Sequence, residues 1–388
     1  MKVNKKISTL LLSLFLLFIY AGETYQAQAQ GVNFETDEGW GLNITGKLPV
    51  FLVASNHSSY STDNSDQFAT RVMTGFNPPD ITFRISAPEY DGIKITGIFQ
   101  INHHLHGPSV QNAGLFEGRV ADIQIEGNFG TLNMGKGFGI YNSNSIADVG
   151  SAMGVGRFAG PDAADATLGR IGSGYTFANF NPRITYTTPN LSGFYLKVGL
   201  INPEKPDGLS QEIETSTPRV EGQADYVTEF ESGNIRFWAG GMVQSVNVVS
   251  ENFEYNITGW DVGLRLSAGG LGVTGSYSET SGVGADGLIG LSLTGSGLEQ
   301  AEVAASQWYT EATYTAGKLT LGASYGEGEQ DENSTVLGSS PDIKNELLMI
   351  FTRYNVTDSL AMIGELQDFA SDAQSDYKAL VVGMQFTF

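Results

Sequence analysis

From about residue 30 onward, apolar side chains recur at every second position and never gather into a run approaching 18 residues. The far end shows it best: Leu380, Val382, Met384, Phe386 and Phe388 fall on one face, while Val381, Gly383, Gln385 and Thr387 fall on the other. Period two belongs to a strand with one apolar face, and the lack of long runs excludes a helical membrane span. If such strands cross a membrane they must close on themselves, because an open sheet edge leaves unpaired backbone groups in hydrocarbon. The 49 glycines and a charged fraction of 16% suit a chain with many turns and one lipid-facing residue in every two.

The first segment sets the compartment. Lys2, Lys5 and Lys6 precede an apolar stretch from Ile7 to Ile19, and Ala27-Gln28-Ala29 supplies a small-x-small cleavage signature. We read residues 1–29 as a signal peptide and 30–388 as one exported barrel domain. Removing the leader takes away those three lysines and Glu23, so the formal charge of −21 becomes −23. That balance argues against a nucleic-acid partner, which needs clustered cations. With Cys 0, disulfides, thiolate metal sites and cysteine nucleophiles drop out together.

Alternating segments recur in pairs joined by turn-forming residues. The predicted hairpins are Ile81 to Ser86 with Ile93 to Asn102, Val120 to Glu126 with Thr131 to Gly137, and Arg183 to Thr188 with Phe194 to Asn202. They continue with Arg219 to Phe230 and Ile235 to Val243, Trp260 to Ser267 and Leu271 to Ser278, Gln307 to Thr315 and Lys318 to Tyr325, and Glu346 to Tyr354 and Leu360 to Gln367. Trp40 to Val53 and Tyr377 to Phe388 complete the set. The fold class is therefore all-β: a sixteen-stranded antiparallel transmembrane β-barrel, an even number as bacterial barrels require. Connections on the other rim, such as Pro203 to Pro218, Ser281 to Ser306 and Gly326 to Lys344, are long and polar, as extracellular loops are. Trp40, Trp260, Trp308, Tyr314, Tyr325 and Tyr354 fall on the apolar face near strand ends, where an aromatic girdle sits.

Side-chain parity identifies residues that point into the lumen. Lys47 opposes the apolar set Leu42, Ile44, Leu48 and Val50; Arg84 opposes Ile81, Phe83 and Ile85; Arg183 opposes Ile184 and Tyr186. Lys94, Lys197, Arg219, Arg236, Arg265 and Arg353 face inward by the same count. Arg119 conflicts, since its parity matches the lipid-facing Ala121, Ile123 and Ile125; either a bulge shifts the register or Arg119 sits at the rim.

The hairpins resemble the trimeric general porins of Gram-negative outer membranes. The likeness is carried by Ile44-Thr45-Gly46-Lys47, by Phe83-Arg84-Ile85-Ser86-Ala87-Pro88-Glu89, and by Gly130-Thr131-Leu132-Asn133-Met134-Gly135-Lys136. It extends through Arg183-Ile184-Thr185-Tyr186-Thr187-Thr188-Pro189 and the terminal Phe388. The resemblance implies a homotrimer in contact with outer-membrane lipid and lipopolysaccharide. It also implies a third loop folded into the barrel, here residues 138–182, far longer than an ordinary connection. Acids on that loop would face cations on the wall, which gives Asp148, Asp162 and Asp165 opposite Lys47, Arg84 and Arg183 as the pore constriction. Phe158-Ala159-Gly160-Pro161-Asp162 is an approximate counterpart of the family's acidic constriction motif, and Arg157 and Arg170 are placed to pair with these acids. Opposed charges create a transverse field that orders water and favours small hydrophilic solutes.

The function implied is a passive diffusion channel for ions and small hydrophilic solutes. A substrate-specific channel for oligosaccharides or anionic nutrients is the alternative, as is a plugged barrel acting as a surface-binding or structural protein. Neither cofactor nor metal is expected. Gly282-Val283-Gly284-Ala285-Asp286-Gly287 matches a dinucleotide-binding spacing but lacks the strand and helix around it, so we read it as a flexible loop. His57, His103, His104 and His106 fall in predicted extracellular loops without completing a metal site, and no nucleophile elbow is present, so no enzyme is expected.

Overall fold

The computed structural model describes residues 31–58, 67–105, 116–158, 166–206, 212–290 and 297–388. The predicted signal segment, His106, Asp162 and Asp165 lie outside the described residues.

Sixteen antiparallel strands close into a barrel: β1 (Gly41–His57), β2 (Gln67–Met73 and Asp80–Ser86), β3 (Lys94–His103), β4 (Phe116–Gly127), β5 (Gly130–Phe138), β6 (Phe180–Thr187), β7 (Phe194–Ile201) and β8 (Arg219–Phe230). The second half comprises β9 (Gly233–Val248), β10 (Phe253–Ala268), β11 (Leu271–Ser281), β12 (Ala304–Ala316), β13 (Leu319–Gln330), β14 (Ile343–Asn355), β15 (Leu360–Ser371) and β16 (Tyr377–Thr387). Closure runs from Lys47↔Thr387 to His57↔Tyr377 between β1 and β16. A short strand, Val32–Glu35, adds to the first residues of β1, from Val32↔Ile44 to Glu35↔Gly41.

β2 departs from the expectation. Ile81 to Ser86 is only its lower half; Gln67–Met73 pairs with the upper part of β1, from Phe51↔Met73 to His57↔Gln67. Lys47↔Asp80 to Gly41↔Ser86 pairs with the lower part. Pro78-Pro79 supplies no backbone N–H to the ladder, so the strand breaks there, and residues 74–79 turn into the barrel.

Alternation decides what each face meets. Leu48 and Leu52 are 45% and 49% exposed on the lipid face, while Phe51 and Val53 on the same strand are each 1% exposed. At the tight rim the β10–β11 turn uses Gly269 and Gly270 with φ of 56° and 86°. Both central residues of a two-residue hairpin turn of that kind need positive φ, which glycine adopts at least cost.

A barrel interior would ordinarily be wet, yet this one holds apolar clusters. The chain between β5 and β6 folds inside and packs Val155 and Phe158 against Phe51, Phe351, Ile363 and Val381 of the wall. A second segment, between β11 and β12, folds in above it. Val283 and Ala285 are fully buried, and Phe177 N–H donates to the Gly287 carbonyl at 2.8 Å. The Gly282 to Gly287 stretch is therefore packed inside the barrel rather than a flexible loop. His57 is likewise strand, buried at the top of β1 with its ring 5.1 Å from Tyr377. His103 ends β3, and His104 is buried beside Glu117.

Candidate functional site

The in-folded loop, residues 139–179, is seated on three inward glutamates of one half of the wall. Glu221 of β8 accepts from the N–H groups of Ile140 at 2.5 Å and Tyr141 at 3.1 Å. Glu311 of β12 accepts from Val149 at 2.7 Å and Gly150 at 2.9 Å. Glu365 of β15 accepts from Val155 at 2.7 Å and Gly156 at 3.0 Å. Each carboxyl group thus accepts from two successive backbone N–H groups that the turn of the loop would otherwise leave without partners. Two of the three donor pairs are Val-Gly dipeptides. A Cβ on Gly150 would lie 2.7 Å from Phe351, so the close approach to the wall requires glycine there.

Asp148 does not face the pore. Its side chain is fully buried, caps the short helix α1 (Val149–Met153) by accepting from Ser151 N–H at 3.0 Å, and accepts from the Tyr175 hydroxyl at 2.8 Å. Arg170, also buried, lies 3.7 Å from it. An acid enclosed in this way fixes the loop and meets no solute, which corrects the constriction role expected for it. Burial raises the Tyr175 phenol well above its ordinary pKa, with Asp148 adding to the effect, so Tyr175 stays a donor. Arg157 is buried too and donates to the Ile171 carbonyl at 2.8 Å, tying the outgoing leg of the loop to the returning one.

The inward cations differ in what holds them. Lys47 pairs with Asp80 at 3.0 Å, and Arg183 pairs with Asp122 at 2.8 Å. Arg219 points inward but is fully buried beneath the loop, bound to Glu221 at 2.7 Å and to the Ala178 carbonyl at 3.0 Å; it is not exposed to the lumen as expected. Arg84, Arg236, Arg265 and Arg353 are held by neutral oxygens instead. Arg84 donates to Thr45 at 3.1 Å, Arg236 to Asn144 at 3.3 Å, Arg265 to the Ala147 carbonyl at 2.8 Å and Arg353 to Asn355 at 3.0 Å. Arg236 and Arg265 are direct cross-strand partners, and all four sit within a few residues of the tight turns. Lys94 lies opposite Glu126, and Lys197 opposite Gln223.

The conflict at Arg119 has a structural answer. The β3–β4 register shifts between Gln100↔Val120 and Ile101↔Gly118, so Arg119 is the extra residue of a bulge. Its Nε lies 3.1 Å from Glu117, and its guanidinium lies 5.3 Å from the Phe180 ring centre. Arg119 borders a cleft of about 330 Å³ between the two legs of the loop and the opposing wall. Phe76, Phe138, Phe177, Phe180, Leu168 and Leu288 contribute most of its apolar lining.

Sequence reasoning did not single out Glu221, Glu311, Glu365 or this phenylalanine group. Inward parity marks the glutamates, but their partners are backbone amides, which carry no side-chain signature. The phenylalanines come from loop segments and strand ends, where alternation stops being a guide.

A family model described as Gram-negative porin matches residues 21–374 of the chain. Among solved structures, the outer membrane channel DcaP of Acinetobacter baumannii superposes with TM-score 0.68 at 14% identity, covering 93% of this chain and 100% of that one. An anion-selective porin from Comamonas acidovorans gives TM-score 0.63 at 14% identity over 90% and 100% of the two chains. OmpF of Salmonella typhi, in complex with daunomycin, gives 0.60 at 13% identity over 92% and 100%. No curated protein matches in sequence.

Proposed function

The chain belongs to the Gram-negative porin family and forms a diffusion channel of the outer membrane, and we propose that this channel prefers small anions and assembles as a homotrimer. The observation that carries the charge preference is the fate of the inward side chains. Glu221, Glu311 and Glu365 are occupied by loop amides, whereas Arg84, Arg236, Arg265 and Arg353 donate to neutral acceptors and pair with no carboxylate among the described residues. Fixed charge along a narrow aqueous path biases which ion enters, so the local excess matters more than the negative total of the chain. Short turns mark the periplasmic rim in this class of barrel, which puts the cationic zone on that side. An anion-selective porin among the structural neighbours is consistent with this reading.

The trimer rests on the family and on a neighbour solved in a trimer form, OmpT of Vibrio cholerae. Lys47, Arg84 and Arg183, with Asp162 and Asp165, remain the proposed charged frame of the pore; Asp148 is withdrawn from it. Contacts with lipopolysaccharide follow from the outer-membrane setting, and acidic loops bridged to its phosphates by divalent cations would make membrane stability sensitive to a chelator.

Liposome swelling tests the charge preference. Vesicles containing the protein should swell faster with the salt of a small permeant anion than with that of a permeant cation of equal size, and equal rates would reject it. Single insertions in a planar bilayer should close in thirds; closure in one step would reject the trimer of independent pores.

A further inference from the structure

We propose that the cleft beside Arg119 is a binding site for a small organic monoanion with a flat apolar body, an aromatic carboxylate such as benzoate. This rests on the anion-preferring reading above and adds to it a selectivity for the body of the anion.

Three observations carry it. First, the cleft lies between both legs of the long loop and the facing wall residues Arg119, Phe138 and Phe180. Its volume of about 330 Å³ is at the small end of ligand sites, suited to a one-ring solute. Second, the lining is aromatic and organised. Phe138 lies 5.0 Å from Phe180 at an interplanar angle of 61°, and 5.7 Å from Phe177 at 53°, so rings meet edge to face and a further ring can add to the group. Third, Arg119 is the one ionisable residue among the described lining residues. Glu117 engages its Nε, and Glu117 is itself met by His104 at 3.5 Å. No described residue forms a hydrogen bond or ion pair with the terminal nitrogens of Arg119, and a guanidinium offers such paired N–H groups to a carboxylate in one plane.

The Glu117 contact decides the type of anion. Because Glu117 offsets much of the Arg119 charge, Arg119 acts as a directed donor rather than a strong net positive centre. A small, strongly hydrated anion entering apolar walls would lose hydration without adequate return. An anion whose far end is apolar recovers that loss by burying its ring against Phe76, Phe138 and Phe180. The site should therefore discriminate benzoate from acetate, two carboxylates of equal charge, and also benzoate from benzylammonium, which has the same body and the opposite charge.

The test is chloride current through single channels in a planar bilayer with each probe added in turn. Benzoate should reduce the current saturably, while acetate and benzylammonium at the same concentration should not. Phe180→Ala and Arg119→Gln should each raise the half-blocking benzoate concentration by about tenfold, the size of one lost anchoring contact. Phe76→Ala, a change outside the strands, should weaken block in the same direction and serves if either of the first two variants fails to insert. Benzoate acting no better than acetate in a channel that still prefers chloride overturns this inference and leaves the anion reading standing. Block by benzylammonium equal to that by benzoate also overturns it, since stacking alone would then suffice. Loss of the chloride preference in the unmodified protein would instead defeat the reading on which it rests.

Discussion

The inward glutamates of the barrel wall and its inward arginines obey the same parity rule and end in opposite states. On β8, β12 and β15, Glu221, Glu311 and Glu365 point inward and are covered, each by two amides of the long loop. On β2, β9, β10 and β14, Arg84, Arg236, Arg265 and Arg353 point inward and remain bordered by neutral oxygens. The loop thus acts on charge as well as on width. On the proposed reading, engaging these three carboxylates leaves the lumen locally cationic inside a chain whose formal charge is −21. Net charge describes the molecule seen from a distance, whereas a permeating ion meets the inward side chains whose charge no partner offsets.

The largest effect is expected from the glutamates that seat the loop. Changing Glu311→Ala together with Glu365→Ala orphans four buried amides, at about 1–3 kcal/mol each. We expect the loop to leave its seat, single-channel conductance to rise with added noise, and residues 139–158 to become open to protease. Unchanged conductance and unchanged cleavage would show that the glutamates do not hold the loop.

Next in size is Arg183→Gln, which removes one cation and also leaves the 3% exposed Asp122 side chain without its ion-pair partner. Selectivity should move toward cations, and by more than for Arg84→Gln, where a cation is lost but no acid is unmasked. If the two variants shift selectivity equally, Asp122 has no influence on the lumen. The smallest effect is expected from Asp148→Asn. The helix cap and the contact to Arg170 weaken, with a stability loss of about 1 kcal/mol read as a lower unfolding temperature. Selectivity should stay unchanged, because Asp148 is buried; a shift would return it to the pore.

Much of the barrel was legible in the sequence because period two is a physical requirement of a wall with lipid on one face and water or protein on the other. Parity gives Lys47, Arg84 and the positions from Lys94 to Arg353 one expected facing, and buried Arg219 shows that pointing inward is not the same as meeting water. The upper half of β2 was not legible, since Pro78-Pro79 interrupts the strand and only Phe68 and Val72 mark its lipid face. Arg119 could be flagged as a conflict but not resolved, because a bulge adds one residue without changing composition. The role of Asp148 was misread because a loop acid gives no sign of whether it faces water or a neighbouring amide. The seat of the loop was hidden for a related reason: three glutamates find backbone donors that lie 80 to 210 residues away in the chain.

If the loop leaves the lumen positively charged, the zero-current potential of the unmodified protein across a potassium chloride gradient must carry the sign of chloride permeation. Chloride should permeate over potassium, with the preference shrinking as salt rises and screening shortens to ~3 Å near 1 M. A potential of the opposite sign, with potassium preferred at low salt, would contradict the account.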